Sequence, residues 1–203
     1  MHDVAMRPIT SFRGYLGLAL LLGCSSTGDD AVSTALREGE LRLGRGDPMG
    51  ARVAFSAATT RNPKSFIGWI GMARAAAASY DTGEAERALS RALACSPETA
   101  DALDLSGRTA LELARVTPKP QRRLTAQLAS SLLARARGFD RTVPNAAYHA
   151  GLGAWWSGDL AGAMNWFDEA RALGHDPRAE AAVAALRTEA AGLDTRPTSR
   201  AGD

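Results

Sequence analysis

Small and large apolar residues recur along this chain in a fixed rhythm. Gly39, Ala73, Gly107 and Gly151 follow one another at separations of 34, 34 and 44 residues. Ala51, Ala85, Ala129 and Ala163 follow at 34, 44 and 34. Phe55, Leu89, Leu133 and Phe167 hold the next phase, and Ala58, Ala92, Ala136 and Ala170 lie three residues beyond each. One period, interrupted by a ten-residue insertion between Gly107 and Ala129, accounts for all sixteen positions. A repeat of that length predicts stacked helical hairpins, because a single hairpin cannot bury its own apolar face.

Each unit reads as two helices joined by a tight turn. Residues 32–43 carry apolar side chains at helical spacing, and Gly44-Arg45-Gly46-Asp47-Pro48 breaks them. Asp47 is placed to cap the next helix, with Pro48 at its first position. Ala51, Phe55 and Ala58 then fall on one stripe, at i, i+4 and i+7. Asn62-Pro63 closes the unit and Ser96-Pro97 closes the second, whose first helix carries Trp69 and Met72. The fourth begins at Pro144 and turns at Ser157-Gly158-Asp159. A last amphipathic helix over about 177–190, with Ala182, Val183 and Leu186 as its apolar stripe, is predicted to cover the open end. Residues 193–203 are polar and read as a tail.

These residues in this phase resemble the tetratricopeptide repeat family. A small residue stands at position 8, Ala at 20, a large apolar residue at 24 and Ala at 27. Gly46-Asp47 and Gly158-Asp159 fall at the family's Gly-Asp turn, and Trp69 at its favoured Trp position. Tyr80-Asp81 departs from the turn pattern, and Arg141 and His175 replace a closing Pro. The resemblance implies an all-α, right-handed solenoid of about four hairpins over 32–192. Its units are 32–65, 66–99, 100–143 with the insertion, and 144–177, followed by a capping helix over 178–192.

It also implies that partner proteins or peptides bind in a groove lined by the first helices. By phase, that groove includes Glu40, Ile70, Arg74, Asp104, Arg108, Tyr148, Leu152 and Trp155. Arg74 and Arg108 share a phase one repeat apart, which makes them a candidate cationic pair for a carboxylate or an acidic segment. The competing reading is that Glu40 or Asp104 neutralises them. Trp155 and Trp156 point about 100° apart on a helix, so one is expected to be buried and the other to face the groove or an interface. Trp is a frequent binding anchor.

The insertion, residues 113–124, carries Pro118 and Pro120, which break a continuous helix. Lys119, Arg122 and Arg123 make it basic. It reads as a solvated connection between two lengthened helices, or as a contact loop for anionic lipid heads or an acidic partner.

The first 23 residues change the picture of where the protein resides. Arg7 and Arg13 precede an apolar run over residues 15–22, and Gly23-Cys24 follows. That order predicts a signal peptide, and the run is too short to span a bilayer, which takes about 20 helical residues. Leu21-Leu22-Gly23-Cys24 resembles the lipobox of bacterial lipoproteins. The resemblance implies lipidation of Cys24, a polar tether over 24–31, and anchoring through several acyl chains. Ser25, where an Asp often marks inner-membrane retention, implies an outer-membrane lipoprotein facing the periplasm.

Composition adds mainly exclusions. The 203 residues are 45% hydrophobic but only 6% aromatic, so Ala and Leu must build the core. The net charge is +2 and Arg is dispersed, which gives no footprint for nucleic acid. The second cysteine, Cys95, has no partner once Cys24 is acylated and reads as a packing residue. No phosphate loop, nucleophile elbow, zinc-protease motif or cysteine pair at metal spacing occurs, so no catalytic residue, metal or cofactor is expected. The expected function is a lipid-anchored adaptor. The alternatives are an assembly factor for a pilus or secretin, a surface lipoprotein of cell contact, and an envelope hydrolase.

Overall fold

The computed structural model describes residues 27–143, 145–174 and 177–194. The signal segment, Cys24, Pro144, His175 and the tail from 195 lie outside the described residues. Nine α-helices follow in order, with no strand among the described residues. They are α1 (Thr27–Gly44), α2 (Pro48–Arg61), α3 (Phe66–Ala78), α4 (Thr82–Ala94), α5 (Ala100–Val116), α6 (Lys119–Phe139), α7 (Ala146–Ser157), α8 (Leu160–Leu173) and α9 (Pro177–Asp194).

Successive helices pair into four antiparallel hairpins, and α9 packs on α8 as the closing helix. The first-position helices also touch each other, α1 on α3, α3 on α5 and α5 on α7. No comparable contact joins one even-numbered helix to another among the described residues. One layer is thus closer packed than the other, and the solenoid is concave on the side of α1, α3, α5 and α7.

The periodic residues explain this packing. A Cβ built on Gly39, Gly107 or Gly151 would come within 2.6 Å of Phe55, Leu133 or Phe167 respectively. The small residue at phase 8 is therefore the socket for the large residue at phase 24 of the same unit. Phe55, Leu133 and Phe167 are fully buried. Ala51, Ala58, Ala85, Ala92, Ala129, Ala136 and Ala163 are fully buried as well, where larger side chains would force the helices apart.

Caps close the hairpins. Asp47, Asp81 and Asp159 each accept a hydrogen bond from the backbone N–H three residues on, at 2.8, 3.1 and 2.8 Å. Gly46 and Gly158, just before two of them, have φ of 74° and 89°. Tyr80 takes the same place in the second turn with φ 60° and no glycine to ease it. Its side chain is exposed. Removing it relieves left-handed strain of about 1–2 kcal/mol against a glycine entropy cost of about 0.5–1 kcal/mol. Tyr80→Gly is therefore expected to raise stability by about 0.5–1 kcal/mol in urea unfolding; a loss would contradict this account of the turn.

One expectation needs correction. Helix α1 begins at Thr27, so residues 27–31 of the expected tether are helical. The insertion joins two lengthened helices, as its first reading had it, and its basic residues do not form a loop. Only Thr117 and Pro118 separate α5 from α6, and Pro120 sits in the first turn of α6, where a missing N–H costs nothing. The extra residues lengthen both helices, and Lys119, Arg122 and Arg123 are helical.

Candidate partner-binding face

The concave face carries a ladder of alternating charge across three helices. Arg74 on α3 donates from Nη1 to Glu40 on α1 at 2.7 Å and stands 3.9 Å from Glu112 on α5. Arg108, on the same side of α5, meets Asp104 at 2.8 Å. The periodicity puts Glu40, Arg74 and Arg108 at one phase, and helical spacing puts Asp104, Arg108 and Glu112 on one stripe. The two arginines are thus neutralised from within, and the expected cationic pair is not presented as one.

Depth separates the other expected groove residues. Ile70, Leu152 and Asp104 are 1%, 3% and 2% exposed, so they belong to the core seam and not to the open groove. Phase assigns a residue to a helix face and does not specify its depth. Tyr148 is half-buried, with its ring 5.7 Å from Phe167 and the Arg178 guanidinium 4.7 Å above it. Trp155 and Trp156 are both half-buried, contrary to the expected split of one inside and one out. Trp155 packs edge-on against Phe167 and donates its Nε1–H to Glu189 at 2.8 Å. It thereby ties the closing helix α9 to the fourth unit.

Glu112 and Glu189 were not foreseen. The signal for each was present: Glu112 continues the i, i+4 stripe of Asp104 and Arg108, and Glu189 stands 34 residues after Trp155. Burial pushes the Glu112 carboxyl above its ordinary 4.5, with Arg74 pulling the other way. Burial also raises Asp104 above 3.8, against Arg108. For both, the folded state holds a proton that the unfolded chain has released, so their contribution to stability is lost as pH rises through the folded value. Arg74 keeps Glu40 when Glu112 is neutralised. Glu112→Gln is therefore expected to leave stability at pH 7 unchanged or higher, and to flatten its fall as pH rises from about 4.5. A lowered melting temperature at pH 7 would mean that the pair with Arg74 outweighs burial.

The remaining candidates serve packing. The Trp69 Nε1–H donates to Pro63 O at 2.8 Å, and Arg91 covers its ring at 4.7 Å. Cys95 is half-buried with its Sγ 3.9 Å from the same carbonyl. No group of three or more potential metal-ligating side chains occurs among the described residues. No helix among them is long and apolar enough to cross a membrane.

Stacked hairpins, with a small-large socket in the first, third and fourth units, define an α-solenoid of the tetratricopeptide type. No family model matches the sequence, and no curated protein matches it. Solved structures do. The chain is similar to pilF of Pseudomonas aeruginosa, with a TM-score of 0.63 and 20% identity over 82% of this chain and 72% of that one. It is similar also to MamA protein, with a TM-score of 0.59 and 17% identity over 81% of this chain and 85% of the other. Both are tetratricopeptide-repeat solenoids, and at these identities the likeness is one of fold.

Proposed function

We propose that this protein is a lipid-anchored adaptor of the cell envelope that holds partner proteins against its concave face. The observation that carries the reading is the ladder Glu40–Arg74–Glu112, in which polar groups of three helices meet. Arg74 is largely buried in this ladder, and Glu40 and Glu112 are its more open members, available to a partner's groups. The more exposed groups of the ladder are thus carboxylates, which favours a basic partner segment in place of the acidic one that the arginines alone implied. The chain acts by binding, without catalysis, cofactor or metal, and not on nucleic acid.

Cys24 is the proposed anchor, which would place the solenoid at the periplasmic face of the outer membrane. Radiolabelled palmitate incorporated by the parent and lost in Cys24→Ala supports this; label retained in the variant overturns it. The adaptor reading is tested by crosslinking and recovery from membranes, with Arg74→Glu as the disabled control. A parent that recovers no protein the control lacks would contradict it. The fold shared with pilF favours one specific form, an assembly factor for a pilus or secretin. Loss of surface pili on deletion, restored by the parent but not by Arg74→Glu, would support that form.

A further inference from the structure

We propose that the tip of the α5–α6 hairpin docks on an anionic lipid surface. The tip stands out from its own edge of the solenoid. Pro48, Thr82 and Leu160 begin their helices seven residues ahead of Phe55, Leu89 and Phe167, whereas Lys119 begins α6 fourteen ahead of Leu133. At about 1.5 Å per residue, α6 reaches roughly 10 Å further than its counterparts.

The tip also differs from them in chemistry. The other three turns each present an Asp cap. Here Pro118 occupies the cap position with no side-chain hydrogen bond, and the first turn of α6 contains no acid. Residues 113–127 instead hold Arg115, Lys119, Arg122 and Arg123 with no carboxylate among them. Cations at a helix N-terminus oppose the helix dipole, so the fold gains nothing from this placement. Among the described residues no carboxylate stands within ion-pair distance of Lys119 or Arg123. Leu124, beside them, is 73% exposed.

A protruding, uncompensated basic tip bearing one bare leucine fits a flat anionic surface into which an apolar side chain can dip. Basic charge and a single exposed apolar side chain together are what an anionic bilayer surface takes up. Arg122 is different in kind: it donates to Thr117 O at 3.3 Å and Arg115 O at 3.4 Å, closing the end of α5. The proposal does not depend on what the concave face holds.

The test uses the whole chain carrying Cys24→Ala, so that no acyl chain contributes. Its partition is measured on phosphatidylglycerol-containing vesicles, on pure phosphatidylcholine vesicles, and against polyglutamate. The same chain with Lys119→Glu and Arg123→Glu shares every other segment, so the difference between the two belongs to the tip. The two reversals place acids at a helix N-terminus, which favours the fold, and an unchanged thermal midpoint verifies it. The expected result is salt-sensitive binding to the anionic vesicles, weakened about tenfold or more by the reversals and severalfold by Leu124→Ser. Equal partition of parent and variant, or equal binding to both kinds of vesicle, overturns the proposal. Tip-dependent binding to polyglutamate without vesicle binding also overturns it and assigns the tip to an acidic protein.

Discussion

Truncation of Phe55 to Ala is expected to cost about 3–5 kcal/mol, the upper range for a buried aromatic. The ring is fully buried between two glycines. A Cβ on Gly39 of its own unit would stand 2.6 Å from it, and one on Gly71 of the next unit would be closer still. The cost depends on whether neighbours can collapse into the vacated space, and glycines have no side chain to move. The loss should also be local. In a solenoid each unit is held by its neighbours, so weakening the joint between the first two units should uncouple them from the rest. Urea unfolding should become broader or two-stepped, and hydrogen exchange should accelerate in α1–α3 before α7–α9. A loss below about 1 kcal/mol would contradict the socket account.

Gly153→Ala is expected to destabilise by about 3 kcal/mol, although alanine is the better helix former by about 1 kcal/mol. A Cβ there would meet Ala126 O and Ser130 N at 2.8 Å and Ser130 Cα at 3.1 Å. These are backbone atoms of α6, which cannot change rotamer, so the helices must separate. Separation would also stretch the bond from Ser130 Oγ to Ala150 O, now 3.1 Å. Gly138, in the exposed last turn of the same α6, has nothing within 4 Å of a built Cβ. Gly138→Ala should therefore stabilise by up to about 1 kcal/mol. Opposite signs for one chemical change separate packing from propensity, and equal signs would refute the close approach of α6 and α7.

The repeat was legible because packing demanded a small residue wherever a neighbour supplied a large one. Gly39 with Phe55, Gly107 with Leu133 and Gly151 with Phe167 record that demand at a constant spacing. Gly153 escaped notice since no other unit has a glycine at its phase. The insertion was legible as a connection between two lengthened helices, because two prolines must interrupt a single one; that Pro120 falls inside the second helix, at a tolerated first-turn position, was not. At the candidate site, phase identified the inner side but not depth or charge balance. Ile70 and Leu152 share that side with Glu40 but lie beneath it, and Glu112 joins Arg74 only when α3 and α5 are brought together.

The central claim is that the concave face holds a protein partner. Photocrosslinking in intact cells tests it most directly, with a photoreactive residue at Glu40 on α1 and, for comparison, at Ser90 on α4, both exposed. The account predicts a discrete protein adduct from position 40 that Arg74→Glu abolishes, and none from position 90. Adducts of equal yield from both positions, or from position 90 alone, would contradict it.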